Sequence, residues 1–225
     1  MPFSAYTDTH QSSVSAMQAE HRHSIRLDIP FYRQHYDFTC GPACLMMAMK
    51  YLDNDLCLGK DLEIDLWRDA NLVAVLGTSR FGLAFSAAAR GFSARVTSNM
   101  SGPDFVEKFI PPLTDPDMQL LNDQFSERRA RCRKLDVRER QQTITVKTLC
   151  ESLFSNHVPL IVTSSLFCDG EDLPHWIVVT GIDDKFLYFS SPSDMRQKKR
   201  KIRLPGLSEF IGYHGDQSMV EVWKG

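Results

Sequence analysis

Residues 37–52, DFTCGPACLMMAMKYL, decide the fold. Asp37 or Thr39 can cap a helix that begins near Cys40, and a proline is tolerated in a first helical turn because an amide hydrogen there has no intrahelical partner. Beyond that turn the residues are apolar on nearly every face, which is typical of a helix surrounded by the rest of the core. The sequence therefore predicts a central, buried helix that starts with a cysteine.

The composition of the 225-residue chain is that of an ordinary globular protein, with 43% hydrophobic and 24% charged residues. A formal net charge of −2 gives no global preference for nucleic acid or acidic membranes. No run approaches the roughly 18 to 20 apolar residues of a membrane span. Residues 1–24 are polar and lack the features of a secretory signal. We expect a mobile leader there, a single domain over residues 25–225, and a cytoplasmic protein.

Six cysteines are scattered along the chain without the regular spacing of a disulfide framework. In a cytoplasmic protein of this length, reduced thiols are expected, and most should act as small buried apolar groups. Cys40 and Cys44 are one helical turn apart, with Cys44 the more deeply set and inert of the two. The pair is a weak zinc pattern because no second pair matches it.

Helical patterns dominate the first part of the chain and strand patterns the last third. The predicted helices are at about residues 60–71, 80–90, 114–135 and 147–157. The predicted strands are an edge strand at 25–34, further strands at 92–96, 143–146 and 158–165, a hairpin at 175–192 and a closing strand at 220–225. This order predicts an α+β fold, in which a helical half with the cysteine-bearing helix packs on a C-terminal antiparallel sheet.

Cys40 stands where a reactive thiol would be placed. The thiolate is the nucleophilic form, and the first turn of a helix offers unpaired N–H groups and the positive end of the helix dipole, which both favour it. Gly41 would let a substrate approach the backbone closely. The alternative is a cysteine that only packs at a helix start.

A reactive thiol also needs a base, which is usually distant in sequence. Of the seven histidines, His175 is the best placed, because it opens a predicted strand and Pro174 fixes the approach to it. The alternative is a histidine that only ends a strand. Sequence position leaves both interpretations open.

Two segments carry a family resemblance. Residues 33–52, RQHYDFTCGPACLMMAMKYL, followed by HWIVVTGIDDKFLYFSSP at 175–192, resemble the bacteriocin-processing, double-glycine leader peptidase group of papain-like cysteine peptidases, cysteine peptidase family 39. The similarity is closer to the free-standing bacterial peptidase-like members, and it extends over about Ile25 to Trp223. It implies a papain-like fold, a thiol hydrolase, and neither a metal nor an organic cofactor.

The resemblance also assigns roles. Cys40 matches the nucleophile, His175 the general base, and Gln34 the glutamine whose amide helps to form the oxyanion hole. The family usually has an aspartate before the proline that ends the second hairpin strand, where it orients the histidine. Here Ser191 holds that position, and it can accept a hydrogen bond but brings no charge. Asp194, three residues later, is the substitute that we consider.

The function expected from this site is thiol-dependent hydrolysis of a peptide or other amide bond through an acyl-enzyme, with a peptide or protein as substrate. One alternative is an acyltransferase or ligase-type enzyme, in which an amine intercepts the thioester. Another is a catalytically impaired, peptide-binding pseudopeptidase, which Ser191 favours. A zinc-binding module fails on ligand spacing.

Two segments outside the site have hypotheses of their own. Residues 1–24 are hypothesised to cover the cleft as an autoinhibitory leader. The basic run RQKKRKIR at 196–203 is interpreted as a solvated loop, and not as a nucleic-acid site, because no aromatic residues interleave with the charges.

Overall fold

The computed structural model describes residues 24–72, 77–103, 112–193 and 199–225 of the chain. The leader predicted over residues 1–24, together with its autoinhibitory role, lies outside these ranges except for Ser24. Asp194 and residues 196–198 of the basic run also lie outside them.

Helices come mainly first along the described chain and strands mainly last. The helices are α1 (Cys40–Leu52), α2 (Lys60–Ala70), α3 (Arg80–Ala88), α4 (Asp115–Lys134), α5 (Val146–Phe154) and α6 (Leu207–Phe210), with short 3-10 turns at Ser165–Phe167 and Leu204–Gly206. The strands are β1 (Ile25–Arg26), β2 (Asn71–Leu72), β3 (Gly77–Thr78), β4 (Ser93–Ser98), β5 (Arg138–Gln141), β6 (Val158–Ser164), β7 (Pro174–Ile182), β8 (Phe186–Ser190), β9 (Arg200–Arg203) and β10 (Ser218–Trp223). The predicted α+β class is confirmed.

One large sheet organises the strands. In the described ranges its order is β5-β4-β10-β6-β7-β8-β9, and β1 also pairs with β7. Its neighbours are antiparallel apart from the parallel pair of β4 and β5. The last strand in sequence, β10, pairs with β4 on one side and β6 on the other, so it lies in the middle of the sheet.

Helix α1 is the centre of the core. All ten residues from Cys40 to Met49 are buried. The helix packs against β6, β7 and β10 of the sheet and against α2 and α3. Burial of one large apolar side chain stabilises a fold by about 1.5–3 kcal/mol. Because α1 is surrounded by other elements, apolar side chains on all of its faces contribute in this way. The predicted central helix is confirmed. It positions its first residue, Cys40, next to the sheet.

Three predictions about the strands were wrong. The strand expected at 25–34 is reduced to Ile25–Arg26. Residues 143–146 are not a strand, because Thr145 caps α5 and accepts a hydrogen bond from the Thr148 amide. Arg200–Arg203 is not a loop but the strand β9, paired with β8. Basic side chains on an edge strand oppose pairing with other chains, so the same charges that suggested a loop suit this position.

Candidate active site

The helix that carries Cys40 begins where the sequence predicts. Cys40 is the first residue of α1, and 8% of it is exposed. The Thr39 hydroxyl does not take the capping role expected of it. Its Oγ1 atom lies 2.8 Å from the Tyr36 carbonyl oxygen and also contacts the Glu63 carboxylate. Thr39 therefore ties the helix start to the preceding turn and to α2.

The electrostatics of Cys40 differ from the expectation at a helix start. Burial raises the pKa of the thiol, and the negative charge of Asp169 raises it further. The backbone N–H groups of Trp176, Gly41 and Cys40 itself act in the opposite direction and lower the pKa, because they favour the thiolate. The favourable N–H groups are present, but burial outweighs them, and the resting residue is a neutral thiol.

Gly41 has a packing role. A Cβ atom at this position would lie 2.9 Å from Thr78 Cγ2 and 3.1 Å from Leu83 Cδ1. Distances this short leave no room for a side chain. The interpretation that Gly41 lets a substrate approach the backbone was therefore wrong, since β3 and α3 already occupy that side.

Trp176 fixes the start of β7 against α1. Its carbonyl oxygen accepts a hydrogen bond from Cys44 Sγ over 3.3 Å. The indole Nε1 donates to the Thr78 carbonyl oxygen over 3.2 Å. These two contacts hold the strand position next to His175 against α1 and β3.

Cys44 behaves as the inert neighbour that the sequence suggested. It is fully buried, and burial raises its pKa well above the ordinary value. Its sulfur acts as a donor to the backbone, as a neutral thiol does.

His175 is the second residue of β7 and lies opposite Thr163 of β6. Its Nε2 atom is 2.9 Å from Ser191 Oγ. Burial lowers the pKa of His175 to about 4, the Asp169 charge opposes this, and the positive charge of Arg200 lowers the pKa further. The imidazole is therefore neutral at neutral pH, like the thiol.

Ser191 is fully buried and directly follows β8. Its Oγ atom lies 2.9 Å from His175 Nε2 and also 2.9 Å from Ser193 Oγ. The structure therefore brings Ser191 into hydrogen-bond contact with His175 and places a second hydroxyl behind it. Asp194, the substitute that the sequence suggested, lies outside the described residues.

Gln34 lies on the turn that precedes α1. Its backbone N–H donates to the Pro192 carbonyl oxygen over 3.1 Å, which ties it to the segment that carries Ser191. Its side-chain Nε2 donates to the Tyr36 carbonyl oxygen over 2.9 Å. Gln34 and Ser191 are thus joined through one backbone hydrogen bond, although they are far apart in sequence.

Sequence reasoning missed Asp169. It lies in the exposed turn after Ser165–Phe167, where its backbone N–H donates to the Ser165 carbonyl oxygen over 2.8 Å. Its charge acts on both Cys40 and His175. The only signal in the sequence is an acidic turn, CDGED at 168–172, that precedes His175 and resembles an ordinary surface loop.

A metal site and a membrane-spanning helix are two other features that bear on function. No three His, Cys, Asp or Glu side chains in the described ranges come together in a way that suits a metal ion. Among the helices that the structure describes, none has the length and apolar character needed to cross a bilayer.

Residues 29–205 match the model of the Peptidase_C39 like family. The chain belongs to this family. The match covers most of the chain and includes Gln34, Cys40, His175 and Ser191, and it confirms the family resemblance seen in the sequence. No protein with a curated description is similar enough in sequence to match.

Two solved structures are similar to this member of the family. One is a double glycine motif protease from an AMS/PCAT transporter in complex with the leader peptide, with 16% identity, a TM-score of 0.43, and coverage of 87% of this chain and 93% of that one. The other is a protein described as a C39-like peptidase from Bacillus anthracis, with 12% identity, a TM-score of 0.45, and coverage of 90% and 98%.

Proposed function

We propose that this protein hydrolyses a peptide or other amide bond through a thioester formed on Cys40. The observation that carries the proposal is the 2.9 Å contact between His175 Nε2 and Ser191 Oγ. Because this contact occupies Nε2, it leaves Nδ1 as the ring nitrogen that accepts the thiol proton. Membership of a C39-like family supports the same chemistry.

The neutral resting pair sets the order of proton transfer. Since Cys40 is a thiol and His175 a neutral imidazole, the proton moves during attack and not before it. The bond from Sγ to the carbonyl carbon forms while the thiol proton passes to Nδ1. The imidazolium then protonates the leaving amine as the carbon–nitrogen bond breaks. Water, deprotonated by His175, hydrolyses the thioester and returns the thiol.

Two donors are assigned to the negative oxygen of the tetrahedral intermediate. One is the backbone N–H of Cys40 at the helix start, and the other is the Gln34 side-chain amide. One hydrogen of Nε2 is used by the Tyr36 carbonyl oxygen, and the second is the one that we assign to the oxyanion.

A hydroxyl chain takes the place of the usual charged orienter. When His175 Nε2–H donates to Ser191, the Ser191 hydroxyl in turn donates to Ser193. This direction selects the tautomer in which Nδ1 is free to accept a proton. An uncharged orienter gives the imidazolium less support than a carboxylate, so we expect a slower enzyme than one with an aspartate at this position.

The test uses p-nitrophenyl acetate, a small acyl donor that requires no knowledge of the substrate. We expect wild-type protein to release p-nitrophenolate and to carry the acetyl group on Cys40, as located by peptide mass spectrometry. Cys57 is exposed and serves as the internal comparison. Acetylation of Cys57 at a rate equal to or above that of Cys40 would overturn the proposal.

A second candidate function is peptide binding by a catalytically impaired site. The uncharged Ser191 and the burial of both Cys40 and His175 favour it. In that case Cys40 would react no faster than a free thiol, and its rate would not depend on His175. The acyl-transfer assay with His175→Ala therefore separates the two functions.

A further inference from the structure

We infer that Glu63 is a positioning residue for the oxyanion hole. Its buried carboxylate holds the turn of residues 32–39, so that the Gln34 amide and the backbone N–H of Cys40 converge on one carbonyl oxygen. The inference rests on the proposed function and assigns a role to a residue of α2 that sequence reasoning did not single out.

Among the described residues, the hydrogen bonds to the Glu63 carboxylate come from this turn. Glu63 is 0% exposed. Its Oε1 atom accepts hydrogen bonds from the His35 backbone N–H, over 2.8 Å, and from the Thr39 hydroxyl. Its Oε2 atom accepts from the Tyr32 hydroxyl over 2.9 Å and lies 2.8 Å from His35 Nδ1. A single carboxylate thus organises the turn from both of its oxygens.

The positions of these donors matter for the site. Tyr32 lies two residues before Gln34, His35 directly follows Gln34, and Thr39 directly precedes Cys40. The carboxylate therefore holds the chain on both sides of the proposed amide donor and at the residue before the nucleophile. Through Thr39, it fixes the turn relative to the start of α1.

The turn is also held from the opposite direction. The Gln34 backbone N–H donates to the Pro192 carbonyl oxygen over 3.1 Å. Pro192 directly follows Ser191, which contacts His175. The segment with Gln34 is thus clamped between α2 and the chain after β8, so one framework sets the relative positions of oxyanion donor, nucleophile and base.

Stability alone does not explain a carboxylate in this position. A buried charge is costly, and a well-packed apolar residue of similar size is often equally stable or better. A carboxylate that accepts from several donors does, however, specify one geometry. Oxyanion donors must lie within about 2.7–3.1 Å of the developing charge, and a misplacement of about 1 Å can cost roughly 100-fold in rate.

Two electrophiles separate positioning from general damage to the site. When p-nitrophenyl acetate reacts, the Sγ–carbon bond forms, the thiol proton passes to His175, an oxyanion develops, and the bond to p-nitrophenolate breaks. Iodoacetamide alkylates the same sulfur by displacing iodide at a saturated carbon, with no oxyanion. The ratio of the acylation rate to the alkylation rate at Cys40 therefore reports on the oxyanion hole.

In Glu63→Gln we expect acylation of Cys40 to fall by about 10- to 100-fold while alkylation is unchanged. Glu221→Gln is the matched control, because Glu221 is also a buried carboxylate and pairs with Arg95 on neighbouring strands. This control should leave the ratio at the wild-type value. If Glu63→Gln does not fold, Tyr32→Phe and Thr39→Val each remove one donor to the carboxylate and should lower the ratio in the same direction.

A double variant shows whether Glu63 acts through Gln34. Because Glu63 is inferred to position both donors, Glu63→Gln should lower the ratio less in a Gln34→Ala background than in the wild-type protein. Independent, multiplying effects would overturn the inference, and so would a wild-type ratio in all the Glu63, Tyr32 and Thr39 variants that fold. Failure of wild-type protein to acylate Cys40 is a different result, because it overturns the proposed function itself.

Discussion

A comparison of His175 with His157, two histidines with little exposure, shows which feature distinguishes a candidate catalytic histidine. His175 is 6% exposed, and the side chain of His157 is 14% exposed. Burial is the main cause that lowers the pKa of each. His157 Nδ1 lies 3.5 Å from a Glu221 carboxylate oxygen, and its ring stacks on Trp223 with centroids 4.0 Å apart. In the described chain, the imidazole of His175 has the hydroxyl of Ser191 as its hydrogen-bond partner.

By proximity to a carboxylate alone, His157 would be the better catalytic residue. Glu221, however, is bound by the Arg95 guanidinium from the adjacent strand, so its charge is already compensated. His175 directly precedes Trp176, whose carbonyl oxygen accepts a hydrogen bond from Cys44, one helical turn after Cys40. The comparison teaches that the neighbouring nucleophile, and not the nearest charge, distinguishes the candidate base.

The largest expected effect is on acyl transfer. His175→Ala should lower the rate of Cys40 acylation by about 10²- to 10⁴-fold, because the general base is lost. His157→Ala should leave this rate unchanged, since that ring is remote from the site. Release of p-nitrophenolate measures both. Equal loss in the two variants would break the comparison and would indicate that each acts through stability.

The next effect is on stability against acid. The pKa of His175 is lowered from 6.5 to about 4 in the folded protein, so between these values the unfolded chain binds more protons and stability rises with pH. On acidification from pH 7 to pH 4, this group should remove about 3 kcal/mol from the free energy of unfolding. Urea denaturation should show that the free energy of unfolding of His175→Asn falls less than that of the wild-type protein between pH 7 and pH 4.

The lowered pKa of His157 acts with the same sign, so His157→Asn should also reduce the acid sensitivity. The slope of the free energy of unfolding against pH separates the two histidines. If this slope is that of the wild-type protein in His175→Asn but is reduced in His157→Asn, His157 is the histidine with the stronger coupling to folding. That result would reverse this part of the comparison.

The smallest effect concerns the orienter. Ser191→Ala removes one hydrogen bond to His175, with a net value of about 0.5–1.5 kcal/mol, so acylation should fall by about two- to tenfold. Alkylation of Cys40 at high pH, where the base is not needed, should be unchanged. An unchanged acylation rate in Ser191→Ala would direct attention to Asp194 as the orienter.

Local patterns predicted the elements that carry the candidate site. Helix α1 is apolar on all faces because it is surrounded by the core, and the hairpin of β7 and β8 follows from two apolar runs around a short turn. Strands β5 and β9 could not be found in this way, because Arg138–Gln141 and Arg200–Arg203 are edge strands whose polar residues give no alternating pattern.

The parts of the site that sequence missed depend on long-range packing. The raised pKa of the Cys40 thiol follows from its burial in the folded protein, whereas its sequence neighbours suggest only a helix start. In the sequence Glu63 belongs to an ordinary amphipathic helix, and only the fold places it against the turn that ends at Thr39, 24 residues away. The tertiary structure determines which charged residues contact the start of α1. That pairing cannot be inferred from a single sequence.

The central position of β10 has a consequence for biosynthesis. Residues 218–223 join β4 to β6, so until the ribosome has released them the sheet remains two separate halves, β5-β4 and β6-β7-β8-β9. Pairings between segments so distant in sequence form slowly. The sheet of a nascent chain is therefore completed only after residues 218–223 have been synthesised and inserted between β4 and β6.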